Sequence, residues 1–435
     1  MHPILRTAFA AVSLFVSSSL VSAADLKPLL DDSTLWSQNR EAFGGSSAKL
    51  GFEWTSNLRD SSRSDSHDLT FLDNKVYESV ARFEGDELKQ VTVLFFGRGD
   101  AGDLSKAAFE ELLRKTIAAL DGYTGKKFTA RGKDSTSAVK ADGVTWQTDH
   151  TLYTLEYSFT KENKAKKQEY RAEFIRLEMT RPPEAKKFTA SSASKPAGGG
   201  KADLRTRVTR DTASGDVFIG TVPMVDQGQK GYCAVACAER ILRYYGVEVD
   251  ANEMAQVANT ATAGGTSSRA MFEALKKLTA RFRVRTQAME EMSTQDYIRL
   301  IGDYNRNAKK AKKSLLTYDD HMIDVPALYQ EMDADVLKET RAKNASSTSK
   351  FLREIQNRID TGVPLIWSVH LGLFPEPGVP QSGGGHMRLI IGYNTKSNEV
   401  IFSDSWGAGH EKKRMALDNA WTITTGLTAM EPIGG

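Results

Sequence analysis

The sequence predicts two α+β domains in series behind an N-terminal export segment. Three observations carry this: a Gly/Ser/Ala-rich break at 188–203, strand-period alternation before it, and helices followed by strands after it. The first 24 residues, "MHPILRTAFAAVSLFVSSSLVSAA", join one arginine, Arg6, to an apolar run from Ala8 to Val21 and then to small residues. That is the pattern of a cleaved secretory signal, with cutting expected near Ala23 or Ala24. The run is shorter than the roughly 20 apolar residues of a membrane-spanning helix. No later segment is apolar enough to span a bilayer, so a secreted or periplasmic protein without an integral membrane segment is expected.

Residues 25–187 read as a small α+β domain. In "TLYTLEYSFT", Tyr153, Leu155, Tyr157 and Phe159 alternate with Thr154, Glu156 and Ser158, the period of a strand with one buried face. "QEYRAEFIRLEMT" alternates again beyond a charged turn, which makes the two an antiparallel hairpin, and "QVTVLFFG" is a further strand. Leu104, Ala108, Phe109, Leu112, Leu113, Ile117 and Leu120 follow helical spacing between a cap at Asp103 and Gly122. This domain carries no chemical constellation.

In residues 204–435 a helix is expected from Cys233 to Gly246, with Val235, Ala238, Ile241, Leu242 and Tyr245 on its apolar face. Further helices are expected around 266–280, 293–313, 325–342 and 348–361. Three short strands follow, "VPLIWSVHL", "HMRLIIGYN" and "EVIFSDSWG".

Composition narrows the function. With 40% hydrophobic and 26% charged residues the chain is ordinarily globular, and 58 Lys+Arg against 55 Asp+Glu leave a net charge of only +3. The basic residues are scattered, which argues against nucleic acid as a partner. Two cysteines are too few for a disulfide scaffold at this length. Cys233 and Cys237 lie side by side on one helix, a geometry that does not favour a bridge between them.

A cysteine at a helix start gains from the free N–H groups and the positive end of the dipole, which lower its pKa. Cys233 has that place and Cys237 does not; the alternative is that both are small buried hydrophobes. A thiolate nucleophile would need a histidine, a group to orient it and donors for an oxyanion. Among seven histidines, His386 stands out, following Gly383, Gly384 and Gly385 and opening a strand. His370 reads as a strand residue, His410 as following a Gly-rich turn, and His321 as lying in a polar loop. A metal site built from His370, His386 and His410 lacks tight ligand spacing.

These residues resemble papain-like cysteine peptidases, especially the bacterial branch of double-glycine leader peptidases. The "DQGQKGYC" stretch supplies Gln227, Gly228, Gly231 and Cys233 in the pattern of a glutamine six residues before the nucleophile. "HMRLIIGYN" has the form of the family's histidine strand, and "DSWG", with Asp404, Ser405, Trp406 and Gly407, that of its N-S-W-G segment. Chain order agrees, with His386 downstream of Cys233 by close to the roughly 130–150 residues of papain-type chains. The C-G-S-C-W signature and the disulfides of papain itself are absent, and aspartate stands at 404, as in the leader peptidases.

The resemblance implies a two-lobe papain-like domain, helical lobe first and antiparallel sheet lobe second, covering roughly Pro223 to Gly409. It implies Cys233 as nucleophile, His386 as general acid and base, Asp404 as its orienter and Gln227 as oxyanion donor, with Gln229 a poorer fit. Trp406 would shield the His386–Asp404 pair. Neither cofactor nor metal is implied, and the partner is a peptide or protein substrate. Two other readings use the same residues: an inactive papain-fold binding module, and an acyltransferase that resolves the acyl-enzyme with an amine.

Overall fold

The computed structural model describes residues 24–131, 139, 141–163, 165, 167–183, 201–228, 231–247, 249, 251–258, 272–276, 282–318, 323–342, 345–380 and 383–433. Residues 1–23 of the expected export segment, most of the expected linker, Gln229 and His321 lie outside them, as does most of the helix expected around 266–280. Among the described residues no helix is long and apolar enough to cross a membrane.

The N-terminal domain is built on eight antiparallel strands, a larger sheet than expected. Their order across the sheet is Glu53–Trp54, Ser61–Ser64, Glu78–Glu84, Glu87–Gly97, Arg171–Thr180, Leu152–Thr160, Asp142–Gln147 and Thr129–Ala130. The predicted hairpin is the pair Leu152–Thr160 and Arg171–Thr180, with Tyr153 opposite Met179 and Leu155 opposite Leu177. The helix runs from Lys106 to Thr124; Ser105, not Asp103, caps it by accepting the Ala108 N–H at 3.3 Å. Serine holds the position whose oxygen reaches the third helical amide, and the helix continues past Gly122 to Gly125, where φ turns to +66°. Phe109 seats the helix on the sheet between Phe96 and Phe159.

The sheet's other face departs from the alternation rule. Glu156 and Arg176, on its polar side, are 5% and 7% exposed, because the second domain covers them. Arg176 Nη2 donates to Glu253 of that domain at 2.9 Å, and Ser158 Oγ donates to Gln256 at 2.9 Å.

The C-terminal domain is α+β. Its sheet runs Val208–Arg210, Asp216–Ile219, Gly384–Asn394, Leu365–Leu371, Thr424–Pro432 and Val284–Glu291, with Glu399–Ser403 and Lys413–Ala416 added beside Gly384–Asn394. Strands thus precede and interrupt the helices rather than only following them. Gly392 lies where Asp216–Ile219 and Glu399–Ser403 both pair with the central strand. A Cβ there would come within 2.5 Å of the Val217 carbonyl oxygen, so this position requires glycine.

The helix Cys233–Tyr244 packs on this central strand and is buried nearly all round. Helix Ala345–Ile359 adds Phe351, Ile355 and Ile359 to the same core. The predicted helix at 325–342 is two helices, Val325–Glu331 and Ala334–Ala342. Asp333 separates them, its carboxylate accepting the N–H groups of Asp335 and Val336 at 3.1 and 3.2 Å and so starting a new helix. With Thr294–Ala311, capped by a Ser293/Asp296 box, they enclose a second small core around Tyr304 and Leu337.

Candidate active site

Cys233 is the first residue of its helix, and the preceding Tyr232 offers no side-chain cap. The amides of the first turn therefore remain available to a ligand or to the thiolate. Both cysteines are free thiols, Cys233 partly exposed and Cys237 fully buried. Burial pushes the Cys233 thiol up, but hydrogen bonding and charge from His386, with the amides of Met387 and Ala234, outweigh it and leave its pKa below the ordinary thiol value. Burial raises Cys237 far above that value, despite Arg240 nearby.

His386 enters from the strand Gly384–Asn394, paired with Val369 across the sheet. Exposed Gly385 precedes it, and a Cβ there would meet nothing within 4 Å. The imidazole is buried and its Nε2–H donates to Asp404 Oδ1 at 2.8 Å. The Trp406 ring stacks on it at 4.3 Å, inclined by 9°. On its other side the ring meets Cys233, which acts on it by hydrogen bonding and charge. Burial lowers the His386 pKa, whereas Asp404 and Cys233 raise it and prevail. Burial likewise opposes the charge on Asp404, yet His386, Arg388 and Lys413 hold its pKa below the usual carboxylate range.

Asp404 follows the strand Glu399–Ser403 in a turn closed by its own N–H to the His410 carbonyl at 2.9 Å. Gln227, 8% exposed, is tied to the same turn by its N–H to the Ser405 carbonyl at 2.8 Å. Cys233, His386 and Asp404 are therefore brought together, with the Gln227 backbone attached to them. The other described histidines are not part of this group. His370 lies on the neighbouring strand, stacked on Tyr329 at 4.6 Å, and burial lowers its pKa to about 4. His410 sits edge-on to Trp406 at 5.7 Å, and His67 and His150 are exposed on the N-terminal domain. Among the described residues no three His, Cys, Asp or Glu side chains group to hold a metal ion.

Two buried arginines that sequence reasoning passed over support this arrangement. Arg388, two residues after His386, places Nε 3.6 Å from Asp404 Oδ1. It forms a forked pair with Glu376 at 2.6 and 3.1 Å and lies between the faces of Trp367 and Phe402. Arg240, on the Cys233 helix and 1% exposed, donates to the carbonyls of Pro223 at 2.8 Å and Asp404 at 2.9 Å, and to Ser403 Oγ at 2.5 Å. It thus pins the segment leading to Gln227 and the Asp404 turn to the Cys233 helix. A charge within an apolar helical or strand stretch was the available signal for both. Arg240→Ala strands several buried acceptors, each costing about 1–3 kcal/mol. A loss of roughly 3 kcal/mol or more is expected, read as a lower denaturation midpoint with little change in slope.

Residues 219–429 match the model of the Peptidase_C39 like family. The match spans the Cys233 helix, the His386 strand and the Asp404 turn, and the papain-like resemblance read from the sequence agrees with it. Among solved structures, the chain is similar to xylellain, a cysteine protease from Xylella fastidiosa, at 12% identity and a TM-score of 0.28, over 53% of this chain and 88% of that one. No curated protein matches the chain. The N-terminal domain before Ile219 lies outside the family match.

Proposed function

We propose that this chain is an exported cysteine peptidase that hydrolyses peptide bonds through Cys233, His386, Asp404 and Gln227. The observation that carries the reading is the arrangement of His386. One ring nitrogen donates to a buried aspartate, while the imidazole acts on a helix-start cysteine whose pKa it lowers.

The Cys233 thiolate attacks the substrate carbonyl carbon, and the C=O electron pair moves to oxygen. The Gln227 side chain and the Cys233 backbone N–H stabilise that oxyanion. Collapse of the tetrahedral species expels the amine, which takes its proton from His386 Nδ1, and leaves a thioester. His386, now neutral, takes a proton from water; the resulting hydroxide attacks the thioester and releases the acid and the thiolate. Asp404 holds the imidazole in the tautomer that leaves Nδ1 facing the sulfur, and Trp406 screens their hydrogen bond from water. Export rests on the N-terminal segment and is tested by sequencing the N-terminus of the protein recovered outside the cytoplasm, which should begin near Ala24.

A peptide-library digest with wild-type protein and Cys233→Ala in parallel tests the reaction. Cleavage by wild type alone supports hydrolysis; binding without cleavage by either leaves a binding module, and amine-dependent ligation products point to acyl transfer. Gln227→Ala is expected to melt like wild type while turnover falls roughly 10²–10³-fold, the cost of one oxyanion donor. Equal activity in the two proteins would remove Gln227 from the mechanism.

A further inference from the structure

The seam between the domains reaches the back of the site. It encloses a cavity of about 560 Å³ whose wall includes Gln227, Tyr232 and Arg63. A turn backed by a void depends on the polar contacts that hold it. Arg63, on the N-terminal strand Ser61–Ser64, is 8% exposed and anchored by Glu78 and Asp65, each at 3.0 Å. Its Nη1 lies 3.7 Å from Asp226 Oδ2, and Asp226 Oδ1 in turn accepts the Gly228 N–H at 2.8 Å. Gly228 has φ +62°, and a Cβ on it would fall 2.6 Å from Arg63 Nη2, so the guanidinium rests against the bare α-carbon. The residue between Asp226 and Gly228 is Gln227.

Two more contacts of the same domain reach neighbouring parts of the site. A Cβ on Gly99 would lie 2.0 Å from Tyr232 Oη, so the residue just before Cys233 packs onto a position only glycine leaves open. The Asn57 N–H donates to Glu411 Oε1 at 2.6 Å, and Glu411 Oε2 accepts the Gly409 N–H at 2.7 Å in the turn that closes on Asp404.

We propose that Arg63 is a positioning residue for the carbonyl-oxygen site, holding the Asp226–Gly228 turn so that the N-terminal domain braces Gln227 from outside the peptidase domain. The proposal rests on the peptidase reading above. A guanidinium wedged between Asp226 and a bare glycine Cα restricts the turn in two directions, through charge and through contact. Alkylation of Cys233 develops no oxyanion and does not depend on this turn, whereas peptide hydrolysis does.

The test uses the full chain with Arg63→Ala and Arg63→Lys, the lysine variant keeping the charge if alanine fails to fold. Three quantities are measured: amide hydrogen exchange at Gln227 and Gly228, kcat and KM on a cleaved peptide, and the rate of Cys233 alkylation at pH 6. Exchange at the two amides is expected to accelerate at least tenfold. kcat should fall ten- to a hundredfold, short of the roughly 10²–10³ for losing a donor outright, with KM and alkylation within twofold of wild type and lysine intermediate. Arg63→Ala added to Gln227→Ala should cost no more than Gln227→Ala alone. Unchanged exchange, or alkylation falling in step with kcat, overturns the brace. Absence of Cys233-dependent turnover in wild type sinks the peptidase reading instead, and the exchange measurement then decides alone whether Arg63 holds the turn.

Discussion

Replacing Cys233 with alanine is expected to abolish peptide hydrolysis, a loss on the order of 10⁶-fold by analogy with removing the nucleophile of a serine protease, while the protein folds as before. The companion measurement is thiol reactivity in the wild type. The Cys233 thiol lies below the ordinary value because His386 and the amides of Met387 and Ala234 overcome its burial, whereas burial drives Cys237 far above it. Iodoacetamide at pH 6 should therefore modify Cys233 rapidly and Cys237 hardly at all, with activity lost in step with the first label. An unperturbed thiol, with pKa about 8.5, is almost wholly protonated at that pH. His386→Ala should slow the labelling sharply. Slow and equal labelling of the two cysteines would falsify the nucleophile assignment.

Asp404→Ala should lower turnover by roughly 10⁴-fold, the order of loss seen when a triad carboxylate is removed. Asp404→Asn should do far less damage. In the resting ion pair both imidazole nitrogens carry protons, so an amide oxygen can still accept from Nε2. What asparagine removes is charge, and with it part of the stabilisation that raises the His386 pKa. Activity requires Cys233 ionised and His386 protonated, so the alkaline limb of the pH profile is set by His386 and should move to lower pH in Asp404→Asn. Arg388, 3.6 Å from the carboxylate, remains paired with Glu376 when residue 404 loses its charge.

Stability follows the same signs. The raised His386 pKa contributes below about 6.5 and is lost as pH rises through the folded value, and the lowered Asp404 pKa contributes above about 3.9 and is lost as pH falls. The melting difference between wild type and Asp404→Asn should therefore be greatest between about pH 4 and 6.5. A pH-independent difference, with no movement of the alkaline limb, would show that Asp404 does not act on the imidazole.

Much of this was legible in the sequence, because it is written in local periods. The alternation of Tyr153, Leu155 and Tyr157 specified a hairpin, the spacing of Val235, Ala238, Ile241 and Leu242 specified the helix that Cys233 begins, and three short apolar runs supplied strands, one opening at His386 and one leading to Asp404. The edge strand Val284–Glu291, rich in polar residues and half exposed, and the strand Thr424–Pro432, with Thr and Gly among its residues, lack a clean period and could be seen only once paired. The sequence singled out His386, but only the tertiary structure separates it physically from its neighbour His370. His370 and His386 sit on adjacent strands, yet one stacks on Tyr329 and the other reaches Asp404. It also decided the fate of the charges. Glu156 and Arg176 belong to the face that alternation assigns to solvent, and Arg240 and Arg388 interrupt apolar stretches, yet all four are buried. A charge leaves water only where partners offset its desolvation. Glu156 and Arg176 face one another across the predicted hairpin, but the further partners, Glu253 for Arg176, Glu376 for Arg388 and the Pro223 and Asp404 carbonyls for Arg240, are brought within reach by packing and not by any local pattern.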